Sequence, residues 1–168
     1  MKSLDIEISP SLSKIQASAN LSVSMEVSFA LYSAANRVIR MHRSLLDPMG
    51  LTYPQYLVLL TLYDGSPRTV GEIGSALGMD TGTLTPLLKR LSAADMVTRS
   101  RDPADERRVI VALTAKGDSC RAEISLIPSK IDAKCRLSKE ELTDLRNTLN
   151  ALGHAGPSSD RTNATLNP

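Results

Sequence analysis

The chain has 168 residues, a formal net charge of +2 and 42% hydrophobic residues, which suits one domain with short extensions and supplies enough apolar residues for a core. It has no Trp, one Phe and four Tyr, which argues against binding of RNA or single strands by base stacking, because stacking needs aromatic platforms. The weak net charge excludes a strongly basic coat, so any cationic patch has to be local.

The start of the chain, MKSLDIEISPSLS, is polar and lacks the apolar core of a signal peptide. Residues 1–20 are expected to be only partly ordered, and no apolar run is long enough to cross a membrane. We therefore predict a cytoplasmic protein without a membrane partner. Cys120 and Cys135 lack CxxC spacing, and structural disulfides are rare in that compartment, so both are expected to act as small hydrophobic residues.

The first predicted helix runs from about Leu21 to Leu46. Its apolar residues recur every three or four positions, close to a heptad seam; they are Val27, Leu31, Ala34, Val38, Met41 and Leu45. A heptad-like stripe requires a partner helix, and a second copy of the same chain could supply it. Asp47-Pro48-Met49-Gly50 then ends the helix.

A second helix is predicted from Pro54 to about Tyr63, because proline suits the first helical turn and Tyr53 can stand at the cap. Leu57, Leu60 and Thr61 continue this helix. The turn residues of Asp64-Gly65-Ser66-Pro67 indicate a loop after it.

The next stretch predicts a helix-turn-helix. Its first helix is short, with Val70, Ile73 and Leu77 at i, i+3 and i+7, and Gly78 ends it. The second helix, from about Thr81 to Leu91, has one apolar stripe, made of Leu84, Leu87, Leu88 and Leu91. Its other face carries Thr81, Thr83, Thr85, Lys89 and Arg90. Short polar residues near the start and cations further along fit a DNA major groove, with its base edges and phosphates.

A basic hairpin is predicted after these helices. Met96–Arg101 and the β-branched run Val109–Leu113 read as strands, joined by the turn residues Asp102-Pro103-Ala104-Asp105. Four arginines lie on or beside the tip, namely Arg99, Arg101, Arg107 and Arg108. A hairpin of this kind beside a helix-turn-helix is a wing, which can place Arg in a minor groove or on the backbone. The alternative is a solvated charged hairpin, and three acids interrupt the cluster, but helix and wing in tandem favour nucleic acid.

Further helices follow the wing. Thr114 is predicted to cap a helix from Ala115 to about Ile127, which Pro128 breaks or kinks. Ser138-Lys139-Glu140-Glu141 is a capping box for a last helix lined by Leu142, Leu145, Leu149 and Leu152 and ended by Gly153. The tail, residues 154–168, is predicted to be disordered.

The elements together predict a mainly α protein with a small β-hairpin wing, an α+β winged helix-turn-helix. Residues 51–114 would form the DNA-binding region, and residues 21–50 and 115–153 a dimerisation region built from N- and C-terminal helices. A homodimer places two wings about a two-fold axis. Its double-stranded DNA site should therefore be near-palindromic, with half-sites about 10 bp apart.

Three stretches closely resemble the MarR family: LTYPQYLVLLTLYDG, MDTGTLTPLLKRL and VTRSRDPADERRVIVALTAKG. Within that family they are most similar to the OhrR-type branch of organic-hydroperoxide-sensing repressors, and the resemblance covers roughly Val27 to Ile127. It implies a homodimeric, nucleoid-associated stress-response repressor with a MarR-like fold, released from DNA by an effector. By position, the recognition-helix motif falls on Thr81, Gly82, Thr83, Pro86, Lys89 and Arg90. The wing motif, whose Arg reaches the minor groove, falls on Asp105 and Arg107.

The resemblance breaks down at the sensor position. Ser28 in MEVSFALY stands where OhrR-type proteins carry the peroxide-reactive cysteine. Tyr32 and Tyr53 match two of the tyrosines that support it, but His42 stands at the third. Peroxide sensing needs a thiolate, so Ser28 should leave the site insensitive. Cys135 resembles the resolving cysteine of some members, but without a thiol at Ser28 it has nothing to resolve.

Two explanations of Ser28 remain open: a natural member that senses something else, or an engineered replacement that fixes the reduced, DNA-binding form. His42 favours the first, since an engineered change would normally be single. We expect a pocket for a small-molecule or oxidant effector near Ser28, Tyr32, His42, Tyr53 and Tyr56. Ser28 and His42 are about 21 Å apart along one helix, so they could meet only across the dimer. Otherwise Ser28 is a helix-packing residue and His42 a partly exposed polar residue.

Two other classes of function, an enzyme and a winged helix that contacts only proteins, have less support in the sequence. No P-loop, GxGxxG, HExxH or GxSxG motif supports an enzyme, and neither a cofactor nor a metal is expected. His42 and His154 are the only histidines, and His154 falls in the tail. A winged helix used only for protein contacts would not need Thr81, Thr83, Lys89, Arg90 and Arg107.

Overall fold

The computed structural model describes residue 23 and residues 26–154. The predictions of a partly ordered start (residues 1–20) and of a disordered tail beyond residue 154 therefore lie outside the described residues. The chain divides into two compact units, Met1–Tyr53 and Pro54–Pro168.

The first unit contains the long helix α1, Val27–Leu46. Its predicted start at Leu21 is wrong, because Glu26 is the N-cap in extended conformation and accepts the first helical hydrogen bond, from the N–H of Ala30. A 3₁₀ turn, Asp47–Met49, follows, and Gly50 adopts the left-handed conformation with φ 66°. The predicted end of this helix is confirmed.

Helix α2, Tyr53–Asp64, leads into the second unit, where α3, Val70–Leu77, and α4, Thr81–Ala93, form the predicted helix-turn-helix. Thr69 begins α3 with a capping box, in which its hydroxyl accepts from Glu72 N–H and its own N–H donates to the Glu72 carboxylate. Gly78 ends α3 at φ 62°, a conformation that costs glycine little. These helices confirm the helix-turn-helix that the helical spacing of the apolar residues predicts.

The β structure is a three-stranded antiparallel sheet of β1, Arg68–Thr69, β2, Val97–Asp102, and β3, Asp105–Leu113, in the order β1-β3-β2. The predicted two-stranded hairpin is thus incomplete, because β1 pairs with β3 through Arg68↔Val111 and Thr69↔Ile110. Two residues are too few to carry the alternation that reveals a strand. The second strand also begins four residues earlier than predicted, since only Pro103 and Ala104 form the turn.

The helices after the wing differ most from the prediction. The single helix expected from Ala115 to Ile127 is divided into α5, Ala115–Ser119, and α6, Arg121–Ser125, and then α7, Ile127–Asp132, follows. The predicted break beside Pro128 is confirmed, because α6 ends at Ser125 and Pro128 lies in the first turn of the new helix α7, where its missing N–H costs little. The last helix, α8, Lys139–His154, has the predicted capping box of Ser138 and Glu141. It includes Gly153, which keeps a right-handed conformation and does not end it.

Several of the most buried side chains in the second unit come from α2, α3, α4 and the sheet; they include Val58, Leu59, Leu62, Ile73, Leu84, Leu88, Leu91 and Val111. This shared core holds α4 beside the hairpin of β2 and β3. None of the described helices is both long enough and apolar enough to cross a membrane.

Candidate nucleic-acid interface

Helix α4 separates a buried leucine face from an exposed polar face. Leu84, Leu88 and Leu91 have no exposed surface, and Leu87 is half-buried. Among the predicted contact residues, Thr85 is half-buried and the others are exposed, namely Thr81, Gly82, Thr83, Pro86, Lys89 and Arg90. The packing that buries the leucines therefore presents the other face to solvent as one surface.

The start of α4 is fixed by its N-cap, Asp80. One carboxylate oxygen accepts the backbone N–H of Thr83 at 2.8 Å, and the other accepts the Thr83 hydroxyl at 3.0 Å. The N–H and then the hydroxyl of Thr83 lower the pKa of Asp80 below its usual value. The carboxylate is therefore charged at neutral pH, which also complements the positive end of the helix dipole.

The tip of the wing is shaped by two aspartates. Asp102 accepts the backbone N–H of Ala104 at 2.9 Å, and Asp105 accepts that of Arg107 at 3.0 Å. Both are local side-chain-to-backbone bonds of the Asx-turn kind. The acids that interrupt the basic cluster in sequence thus build the turn that presents it.

The four wing arginines fall into two pairs. Arg101 donates to the carbonyl oxygen of Glu106 at 2.7 Å, and Arg108 lies 3.7 Å from the Asp102 carboxylate. Arg99 and Arg107 are exposed, and within residues 26–154 neither makes an ion pair. The geometry leaves Arg99 and Arg107 available for an external anion and holds Arg101 and Arg108 within the wing.

The predicted effector residues of the first unit do not all come together. Ser28 lies exposed in the first turn of α1, and Tyr32, one turn later, is 68% exposed. His42 lies near the other end of the helix, where its ring centroid is 4.7 Å from that of Tyr53 in an edge-on arrangement. Tyr56 belongs to the second unit and is buried there.

His42 departs from the expectation of a partly exposed residue, because only 6% of it is exposed. Its Nδ1 is 2.9 Å from the carbonyl oxygen of Val38 one turn earlier, and because a carbonyl oxygen only accepts, Nδ1–H is the donor in this bond. Burial raises the pKa of Tyr53 beside it. Among the described residues no cluster of His, Cys, Asp and Glu could hold a metal ion.

Sequence reasoning missed two residues of the interface, Asp80 and Asp102. Asp80 had a usable signal, since an aspartate directly before a helical pattern is a preferred N-cap. Asp102 was assigned to the turn, but its ion pair with Arg108 depends on the hairpin register and has no local signature.

Comparison with known proteins places these features in a family. Residues 40–124 match the family described as transcriptional regulator SarA/Rot. The HTH-type transcriptional regulator TtmR of Methylorubrum extorquens is 44% identical over 128 residues, which cover 76% of this chain and 66% of TtmR. The HTH-type transcriptional regulator MgrA of Staphylococcus aureus is 37% identical over 131 residues, 77% of this chain and 89% of MgrA.

Solved MarR-type structures share the fold. Reduced AbfR bound to DNA superimposes with a TM-score of 0.67 at 28% identity, over 86% of this chain and 97% of AbfR. The predicted mainly helical winged-helix fold is confirmed by this match.

Proposed function

We propose that the chain binds duplex DNA in a sequence-specific way and represses transcription. The ground for this proposal is that the chain belongs to the SarA/Rot family of MarR-like transcriptional regulators. The observation that carries the proposal is the exposed polar and basic face of α4 beside a wing on which Arg107 is exposed and makes no ion pair with the other described residues. AbfR, which has this fold, has been solved on DNA.

The proposed division of work follows from groove chemistry. The first turns of α4 lie at base edges in the major groove, with Lys89 and Arg90 at phosphates. Arg107 enters the adjacent minor groove, whose negative potential attracts a guanidinium. Arg101 and Arg108 maintain the shape of the wing through Glu106 and Asp102.

Dimerisation is proposed through the terminal helices. Each of them carries large apolar side chains at the surface of the single chain, on α1 Val27, Phe29, Leu31 and Tyr32 and on α8 Leu145, Leu149 and Leu152. Exposed apolar stripes at helical spacing are typical of helix–helix interfaces. Two copies would present two recognition helices to a near-palindromic operator in the cytoplasm.

The experiment is a selection of duplexes from a randomised pool, followed by affinity measurements on the selected operator. Arg107→Ala and Lys89→Ala should weaken binding, and Lys89→Ala should do so across sequences because it removes a phosphate contact. Lys130→Ala, which removes an exposed cation on α7, is the matched control and should bind normally. Failure to select any sequence, or an equal loss in the control, would contradict the proposal.

The signal is proposed to differ from that of the OhrR-type proteins that the chain resembles. Ser28 cannot form a sulfenic acid, so this regulator would not sense organic hydroperoxide through that position. A small ligand is the alternative effector, and the specific observation for it is the buried ring contact of His42 with Tyr53. A catalytic role is not proposed, since the family consists of regulators.

A winged helix used only for protein contacts remains the competing class of function. It would bury or pair its cations in the complex with a protein, and it would show no preference among duplex sequences. The selection separates the two, because only a DNA reader enriches one sequence from a random pool.

A further inference from the structure

Two hydroxyl groups in the first turns of α4, those of Thr83 and Thr85, are already committed as donors. The Thr83 hydroxyl lies 3.0 Å from a carboxylate oxygen of Asp80, and the Thr85 hydroxyl lies 2.7 Å from the carbonyl oxygen of Thr81. A carbonyl oxygen has no hydrogen to give, and neither has an ionised carboxylate. The threonines must therefore be the donors in both bonds.

The ionisation of Asp80 is supported by its surroundings. The backbone N–H of Thr83 and then the Thr83 hydroxyl hold the pKa of this carboxyl below its usual value. At neutral pH both oxygens of Asp80 accept only. The single hydrogen of the Thr83 hydroxyl is thus directed at Asp80, and only the lone pairs and the methyl group of Thr83 are left for an external partner.

We propose that Asp80 fixes the hydrogen-bond polarity of Thr83, so that the recognition helix accepts from the exocyclic amine of adenine or cytosine at one operator position. The proposal rests on the DNA-binding function put forward above. In the major groove adenine N6 and cytosine N4 donate, whereas thymine O4 and guanine O6 and N7 only accept. A hydroxyl without a free hydrogen discriminates against the accepting bases, because two acceptors would face each other unpaired.

Thr83 is the better of the two threonines for a test. Thr83 is exposed, whereas Thr85 is half-buried. The polarity of Thr83 is also set by a replaceable side chain, whereas that of Thr85 is set by the backbone of Thr81.

Asp80→Asn frees the hydrogen of the Thr83 hydroxyl with few other changes. Asparagine caps helices about as well as aspartate, and its oxygen can still accept the Thr83 N–H. Its amide nitrogen would then donate to the Thr83 hydroxyl, whose hydrogen becomes free to point outward. The hydroxyl could then both donate and accept, so the variant should tolerate guanine or thymine at the position where the unchanged protein prefers adenine or cytosine.

The experiment is selection from a randomised duplex pool at neutral pH, with the preference at each position read from sequencing. We expect the unchanged chain to favour adenine or cytosine by about three- to tenfold at one position of each half-site, the size of one net hydrogen bond. Asp80→Asn should relax that preference, because its Thr83 hydroxyl can donate as well as accept. Thr83→Val should remove it, and the double variant Asp80→Asn with Thr83→Val should match Thr83→Val alone.

Glu72→Gln is the control for charge. It removes one carboxylate from the same helix-turn-helix without touching Thr83, because Glu72 bonds to Thr69. It should leave every base preference unchanged. Thermal melts of all the variants should confirm that each one is folded before its preferences are compared.

The possible failures are distinct. If the unchanged chain selects no sequence, the proposed function fails. If it selects an operator and Asp80→Asn selects the same bases, the polarity proposal is overturned while DNA binding stands. A base preference of the double variant that differs from that of Thr83→Val would also overturn it, because the effect of Asp80→Asn would then not act through Thr83.

Discussion

Asp105 lies two residues before Arg107, which is proposed to reach DNA, and a phosphate backbone would repel the carboxylate of Asp105. Its carboxylate accepts the backbone N–H of Arg107 at 3.0 Å, so it positions the arginine while opposing the approach of DNA. The two effects can be separated, because one depends on the acceptor oxygen and the other on the charge.

We predict opposite results for two substitutions of Asp105. Asp105→Ala removes the acceptor and should weaken operator affinity by about three- to tenfold, the size of one net hydrogen bond, despite the loss of a negative charge. Asp105→Asn keeps an acceptor and should bind at least as tightly as the unchanged chain. Fluorescence anisotropy on the selected operator measures both. A gain in operator affinity with Asp105→Ala would contradict this prediction. It would mean that removing the negative charge strengthens binding more than losing the bond to the Arg107 N–H weakens it.

Ser28 lies exposed in the first turn of α1, where a thiol would meet solvent peroxide. We predict that Ser28→Cys releases operator DNA on treatment with an organic hydroperoxide, whereas the unchanged chain does not, because only a thiolate forms sulfenic acid. Ser44→Cys, at another exposed position of α1, is the control and should not respond.

Two other results would change the assignment of the peroxide-reactive residue. Release of the unchanged chain would assign reactivity to Cys120 or Cys135, both half-buried free thiols. No response from either variant would remove the peroxide site and direct attention to a ligand at His42 and Tyr53.

At the scale of elements, the end of α2 is joined to the helices after the wing through Tyr63. Its hydroxyl donates to the carbonyl oxygen of Gly117 at 2.7 Å, and Arg121 donates to the Tyr63 carbonyl and stacks over its ring at 4.6 Å. Gly117 is required here, since a Cβ would overlap the carbonyl oxygen of Met96. This junction connects the winged helix to the segment predicted to dimerise.

The junction should make stability depend on alkaline pH. Burial, with the neighbouring Cys120, raises the pKa of Tyr63 from 10.0 to about 12. Because the folded-state pKa lies above the unfolded one, the stabilisation is complete below pH 10 and is lost as pH rises through about 12. We therefore predict that the free energy of unfolding falls over that range more steeply for the unchanged chain than for Tyr63→Phe. Urea titrations at successive pH values measure this, and parallel curves would contradict it.

Elements with a strong period could be predicted from sequence, and elements set by partners could not. Helix α4 was predicted with its start correct because its leucines repeat at helical spacing and short polar residues precede them. Strand β1 was missed because Arg68 and Thr69 become a strand only through pairing with β3. The divisions at Cys120 and Leu126 fall at residues that a helix accepts readily.

The candidate site residues also divide into those whose exposure the sequence could predict and those whose exposure it could not. Motif residues on α4 and the wing were predicted to face outward, and all are exposed except the half-buried Thr85. His42 was expected to be partly exposed, yet it is buried, because its exposure depends on the long-range approach of Tyr53. Its spacing within α1 carries no information on that approach.

At the scale of the whole molecule, the proposed dimerisation would cover the exposed leucines of α8. We predict that the 18.1 kDa chain sediments as a dimer and that Leu149→Asp makes it a monomer with weakened operator binding. Leu149 is 40% exposed in the single chain, so the substitution should leave the monomer folded. Asn147→Asp adds the same charge on the opposite side of α8 and should remain dimeric. A Leu149→Asp variant that stays dimeric would place the interface elsewhere.

The net charge of +2 does not by itself attract DNA, so affinity must come from a few local cations. The exposed candidates are Lys89, Arg90, Arg99 and Arg107 in each protomer. Each phosphate that they neutralise releases condensed counterions, which makes the logarithm of the affinity fall linearly with that of the salt concentration.

The most direct test of duplex DNA binding is therefore the salt dependence of affinity for the selected operator. With about six phosphate contacts per dimer, from Lys89, Arg90 and Arg99, we predict a loss of about a thousandfold or more between roughly 50 and 200 mM salt, and a shallower slope for Lys89→Ala. A slope near zero would contradict the account, because it would mean that the surface of α4 and the wing does not contact the DNA backbone.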